Sequence, residues 1–221
     1  GKVGAKKIPT KKIPVVFEAP IASGVLRHFI SAVSGGSLYR KQSFLEGAIG
    51  ESVFPEFISI KEDPFVRRGL SSSAFDNEGV QTQKRSIVSS GKVEGLFLST
   101  YSAKKLGLTS TGNAGGAHNL SVHAGTHTHE FSELLNMMGT GFLVTDLLGH
   151  GTNMVTGDYS RGASGFWIED GEIIHPVQEV TVAGNLKDMF KAIQGVGNDS
   201  LNRSSFKVGS LLIDSMTVGG D

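Results

Sequence analysis

The sequence contains no cysteine. That removes disulfides, thiolate nucleophiles, CxxC redox chemistry and every cysteine-containing metal site. It has no net charge either, with 21 basic residues against 21 acidic ones, whereas a dedicated nucleic-acid binder normally carries a basic excess. No apolar run approaches the roughly 18 residues of a membrane span, and no secretory signal is found. Nucleotide and esterase signatures are missing too. There is no Walker A pattern, no GxGxxG between a strand and a helix, and no GxSxG elbow; Ser164, in Gly162-Ala163-Ser164-Gly165, has the wrong spacing. The expectation is a cytoplasmic globular protein whose 221 residues suit one large domain or two small ones. Glycine is in excess, at 30 residues, and calls for tight turns or close backbone approaches.

Five lysines, Lys2, Lys6, Lys7, Lys11 and Lys12, precede any acid. They read either as a basic arm for an acidic partner or as a solvated lead-in. Residues 1–13 are therefore set apart from a globular region over 14–221. Ile13 to Phe17 reads as a buried strand. Gly24 to Ser34 reads as a helix with Val25, Leu26, Phe29, Ile30 and Val33 on one face, stopped by Gly35-Gly36. A second helix is expected from Ser37 to Ile49. Strands follow between Phe57 and Tyr101, with a hairpin turn over Ser89–Lys92. Thr109 to Gly116 is a loop of small residues, long enough to be functional. In the second half, Phe131, Leu134, Leu135 and Met138 mark one helix, and Leu186, Met189, Phe190 and Ile193 another, with Asn185 as its cap. Asp170-Gly171 marks a two-residue hairpin turn. The fold class expected is α+β, mostly antiparallel sheets with a few amphipathic helices.

Two stretches carry candidate chemistry. His118, His123, His127 and His129 lie close together, followed by Glu130 and Glu133. His129-Glu130-Phe131-Ser132-Glu133 is half of an HExxH motif, with a carboxylate where the second histidine would be. His123, His127, His129 and Glu133 are thus a candidate metal set, and a solvated loop entering a helix explains them equally well. Thr156 to Gly165 joins glycines to Asp158, Tyr159, Ser160 and Arg161. Arg161 can hold a carboxylate in a bidentate pair, or it can close a structural pair with Asp158.

The run Gly139-Thr140-Gly141-Phe142-Leu143-Val144-Thr145-Asp146, the stretch Thr156-Gly157-Asp158-Tyr159-Ser160-Arg161-Gly162, and Phe166-Trp167-Ile168-Glu169-Asp170-Gly171 occur in an order that resembles the C-terminal domain of the TldD/PmbA family, in its PmbA (TldE) branch. Gly35-Gly36-Ser37-Leu38-Tyr39-Arg40, Phe75-Asp76-Asn77-Glu78-Gly79 and Gly112-Asn113-Ala114-Gly115-Gly116 extend the resemblance over nearly the whole chain. It implies a heterodimeric metallopeptidase of TldD and TldE subunits, linked to peptide maturation and also named as a modulator of DNA gyrase. It also implies an N-terminal α/β domain preceding this region. In the TldD branch a helix after the first strand carries HExxxH, and a later cysteine completes a zinc site.

This sequence departs from that pattern where catalysis would live. The metal histidines fall on Arg27 and Ala32, the general-base glutamate falls on His28, and no cysteine exists. The resemblance therefore implies a metal-free subunit with a vestigial site at Arg27, His28 and Ala32, no cofactor of its own, and zinc in a TldD-like partner. Gly157, Asp158, Tyr159, Ser160, Arg161 and Arg40 are expected to line the channel for an extended peptide. Two alternatives stand beside this reading. One is a stand-alone metallohydrolase using His123, His127, His129 and Glu133. The other is a protein-binding regulator acting through the basic segment. No membrane contact and no direct nucleic-acid binding are expected, and a homodimer is the alternative assembly in isolation.

Overall fold

A computed structural model of the chain describes Gly4 and residues 8–220. In chain order its elements are β1 (Lys11–Phe17), α1 (Ala19–Ala32), α2 (Gly35–Tyr39), β2 (Ser59–Glu62), β3 (Arg85–Ser89), β4 (Lys92–Val93), α3 (Thr100–Leu106), β5 (Leu120–His123), β6 (Thr128–His129), α4 (Phe131–Met138), β7 (Gly141–Leu148), β8 (Asp158–Glu169), β9 (Glu172–Asn185), α5 (Leu186–Lys191), β10 (Ile193–Gly197), β11 (Phe206–Lys207) and β12 (Leu211–Gly219). The α+β class is as expected. The described residues divide into two compact units: one takes in the chain up to Gly24, Thr126–Ser200 and the segment from Val208 onward, the other Val25–Gly125 and Leu201–Lys207.

The first unit is built on a seven-stranded sheet in the order β1-β7-β8-β9-β12-β10-β6. Because β1 also pairs with β12, the strands β1, β7, β8, β9 and β12 close into a ring with no free edge. Its pairings are antiparallel except β1–β7 and β10–β6. The hairpin between β8 and β9 turns at Asp170 and Gly171, with φ of +48° and +76°, the pairing that suits a tight primed turn. Val16, Leu143, Ile168 and Leu212 of the strands and Leu134, Leu135 and Met138 of α4 form one apolar cluster. Burying each such side chain contributes about 1.5–3 kcal/mol, which fixes α4 by the face its periodicity marked. Asn185 caps α5 as expected, its Oδ1 accepting the backbone N–H of Lys187 at 3.0 Å.

The second unit holds a five-stranded sheet in the order β11-β5-β2-β3-β4. It is antiparallel apart from the β11–β5 pair. On α1, Val25, Leu26, Phe29 and Ala32 are buried, and Phe29 meets Phe54 edge to face at 5.0 Å.

Several local expectations are corrected. The helix expected over Ser37–Ile49 is only α2, and Gly35 opens it instead of ending α1. Past Tyr39 the backbone turns left-handed at Lys41 and Gly47. The buried Ser43 hydroxyl donates to Ala32 O at 2.5 Å and accepts from Leu45 N at 3.0 Å, side-chain bonding that competes with a helix. After the hairpin turn expected over Ser89–Lys92, the returning strand is only Lys92–Val93. Ser99 then caps α3 by accepting from Ser102 N at 3.1 Å. α1 starts at Ala19, ahead of the expected Gly24. Of the lysine-rich lead-in, Lys2, Lys6 and Lys7 lie outside the described residues. Lys11 and Lys12 belong to β1, and Lys11 Nζ lies 4.8 Å from the centroid of the Trp167 ring.

Candidate functional site

The helix expected to carry the vestigial site is α1. Its Arg27 donates from Nη2 to Ser205 Oγ at 3.1 Å, and the guanidinium lies 5.8 Å from the Phe206 ring centroid. His28 is half-buried, and Ala32 is buried with no donor atom on its side chain. A catalytic zinc needs three converging N, O or S ligands and an open position. Arg27, His28 and Ala32 supply one imidazole, a fixed cation and a methyl group, and this donor set does not fit a metal.

The histidine-rich stretch is distributed rather than convergent. His118 is buried, with Nδ1 3.1 Å from Ser71 O and Nε2 3.0 Å from Gly112 O. His123 ends β5, its Nε2 2.9 Å from Ser121 Oγ; partial burial and the neighbouring Lys61 hold its imidazole below the usual range. His127 closes a single 3₁₀ turn. His129 lies in β6 with Nδ1 3.4 Å from Glu133 Oε2. Among the described residues no three His, Asp or Glu side chains are grouped to hold a metal.

The stretch Asp158–Arg161 lies in the long strand β8. Asp158 and Arg161 do not pair, because residues three apart on a strand point to opposite faces. Asp158 instead accepts from Asn185 Nδ2 at 3.2 Å, and Arg161 donates from Nη2 to Gly149 O at 2.6 Å. Tyr159 is 1 % exposed, packed edge-on to Phe17 at 6.5 Å, and burial pushes its phenol up to about 12. It is part of the interior. Gly157 is buried as well, which leaves Asp158 and Ser160 as the exposed residues of the Gly157–Arg161 set. Arg40, on the second unit, lies over the Tyr39 ring at 5.2 Å.

The small-residue loop 109–116 has a clear structural task in the second unit. Asn113 donates to Glu62 Oε2 at 2.8 Å and accepts from Thr111 Oγ1 at 2.6 Å and from Arg85 Nη2 at 2.9 Å. Ala114 N donates to Asp76 Oδ2 at 3.0 Å. Burial works against the Asp76 carboxylate, but the N–H groups of Ala114, Val80 and Glu78, with the field of His118, win and hold its pKa below the ordinary value. Between α2 and α3, Gly36, Gly115 and Gly116 floor a groove of about 310 Å³ walled by Tyr39 and Tyr101, whose rings meet edge to face at 5.7 Å.

A cavity of about 440 Å³ in the same unit was not legible in the sequence. Arg67, Arg68, Arg203 and Lys207 line it, together with Asp63 and Asn119. Its two basic walls are far apart in the chain, and only the fold unites them. The Arg67-Arg68 pair was the one visible signal.

The chain is similar to known proteins. The model of the PmbA/TldA metallopeptidase C-terminal domain matches residues 10–220. The chain belongs to the PmbA/TldA metallopeptidase family. A metalloprotease PmbA homolog from Haemophilus influenzae is 49% identical over 220 residues, covering 100% of this chain and 49% of that protein. A metalloprotease TldD homolog from the same organism is 26% identical over 243 residues, covering 99% and 50%. A crystal structure described as a modulator of DNA gyrase from Bacteroides thetaiotaomicron has a TM-score of 0.93 at 33% identity, covering 100% of this chain and 49% of that one. The chain spans about half the length of the curated relatives it matches. α1 lies within the region the family model covers. No described helix is long and apolar enough to cross a membrane.

Proposed function

We propose that this chain is the metal-free half of a TldD/TldE-type heterodimeric metallopeptidase. In this reading it shapes the channel for an extended peptide and the interface with a TldD-like subunit, which holds the zinc. The observation that carries it is the chemistry of α1, where Arg27 is tied to Ser205 and Ala32 offers no ligand. A guanidinium at that place opposes a dication, and hydrolysis at zinc needs three ligands plus a bound water. The higher identity to a PmbA homolog than to a TldD homolog supports the same assignment. The groove beside Gly36 and Gly116 supports a peptide ligand, since missing Cβ atoms facing open space let another backbone come close.

The test is to purify the chain, measure its zinc by elemental analysis, and follow peptide cleavage with and without a TldD-type subunit. The expected result is no stoichiometric zinc in this chain and cleavage only with the partner present. Stoichiometric zinc together with cleavage by this chain alone overturns the proposal.

A further inference from the structure

The chain has no net charge, yet the 440 Å³ cavity of the second unit gathers four cationic side chains, those of Arg67, Arg68, Arg203 and Lys207. None of the four side chains makes a hydrogen bond or an ion pair to another described residue. The one carboxylate on the walls, Asp63, is already engaged. Its Oδ2 lies 3.5 Å from Lys84 Nζ, and its Oδ1 accepts from Phe65 N at 2.9 Å. The cavity is thus left with an uncompensated positive field in a concave space, the arrangement that concentrates anions.

Both walls are built in advance of any ligand. Asn119 clamps the loop that carries Arg67 and Arg68: its Oδ1 accepts from Ser71 N at 2.9 Å, and its Nδ2 donates to Asp63 O at 2.9 Å and Ser72 Oγ at 2.8 Å. Ser72 Oγ in turn donates to Val66 O at 2.6 Å. Within this loop Arg68 adopts a left-handed backbone, φ +58°, a conformation uncommon for a long side chain. The opposite wall is held by Ser204, whose hydroxyl donates to Phe206 O at 2.8 Å, and by Arg27 on Ser205.

We infer that this cavity is a carboxylate-binding site that engages acidic peptide segments. This rests on the reading of the protein as a peptidase subunit. Arginine forks match carboxylates in bidentate geometry. No aromatic side chain is among the lining residues, so a single-stranded nucleic acid would lack the stacking platforms it normally uses. The exposed Val66 and Leu70 supply apolar contact for a polypeptide beside the charges.

The experiment is fluorescence anisotropy on the purified chain with three short dye-labelled peptides: an Asp/Glu-rich peptide with an amidated C-terminus, its Asn/Gln counterpart with a free C-terminus, and that counterpart amidated. Inorganic phosphate and a single-stranded oligonucleotide serve as competing probes. The expected result is that the Asp/Glu-rich peptide binds about tenfold or more tightly than the neutral amidated one, whereas a preference shown only by the free C-terminus overturns the inference. That preference should weaken as ionic strength rises to the physiological level. The first two peptides distinguish side-chain from terminal carboxylates. Arg67→Ala/Arg203→Ala, one residue from each wall, should abolish the preference without moving the thermal unfolding curve, and Lys207→Glu provides a second variant if the first fails to fold. Equal binding of all three peptides, a preference untouched by both variants, or binding of phosphate or oligonucleotide alone overturns the inference. None of these readouts involves cleavage or zinc, so the site can fail while the subunit assignment stands, and the reverse.

Discussion

Arg85 grips Glu62 with two nitrogens, Nε at 2.9 Å and Nη2 at 2.8 Å, across a register pair of β3 and β2. The Glu62 side chain is 1% exposed, and its other oxygen accepts from Asn113 Nδ2 and from His118 N, both at 2.8 Å. Every lone pair direction of this buried carboxylate is used, which is the condition under which a buried ion pair holds its own against desolvation. Glu62→Gln leaves the Arg85 guanidinium buried without its counter-ion. The expected loss is about 3–5 kcal/mol of unfolding free energy, measured by urea denaturation with the slope unchanged. A loss under about 1 kcal/mol, the size of an exposed pair, would show that water reaches the network.

Asp76 gives the same unit a dependence on acid. Its carboxylate accepts from Glu78 N and Val80 N at 2.9 Å and from Ala114 N at 3.0 Å. Its folded pKa lies below the ordinary 3.8, so the unfolded chain takes up the proton first as acid is added. The stability this group contributes is complete above the ordinary value and is lost as pH falls through the lower folded one. Asp76→Asn should cost about 1–3 kcal/mol near neutrality and should flatten the acid limb of the stability–pH curve below about pH 4. Parallel acid limbs in wild type and variant would dismiss the role.

How much of this was legible in the sequence depended on the range of the forces involved. α4 and α5 were readable because their apolar faces recur within one helix, at Leu134, Leu135 and Met138 and at Leu186, Met189 and Phe190. The β8–β9 hairpin was readable because Asp170-Gly171 prescribes its own turn. The stretch after Tyr39 was misread because Ser43 is held by Ala32, a contact that no local period reports. The same reason hid the four-cation cavity, whose walls meet only through folding. Arg161 and Asp158 looked like a pair on paper, and strand geometry separated them.

Two glycines of β8 separate a steric requirement from mere composition. A Cβ on Gly165 would overlap Leu143 O, part of the neighbouring β7 backbone, which cannot swing away. A Cβ on Gly162 would sit 3.5 Å from Leu148 Cβ, an ordinary contact. Gly165→Ala should therefore cost about 3 kcal/mol or more, while Gly162→Ala should stay within about 1 kcal/mol. Both are read from thermal or urea unfolding. Equal effects would mean that β7 and β8 pack less closely than their register indicates.

Tyr159 supplies the alkaline counterpart. Its ring is buried edge-on to Phe17, and burial raises its phenol from 10.0 to about 12 against the opposing pull of Arg161. Folding therefore favours the neutral phenol. The stability tied to that preference is complete below the unfolded value of 10.0 and is lost as pH rises through about 12. Tyr159→Phe removes the titration while keeping the ring, so the variant should hold its stability where the wild type declines. The tyrosinate absorbance missing from the variant should have its midpoint near 12. A midpoint near 10.0, the unfolded value, would place the hydroxyl in water and would return Tyr159 to the surface with Asp158 and Ser160.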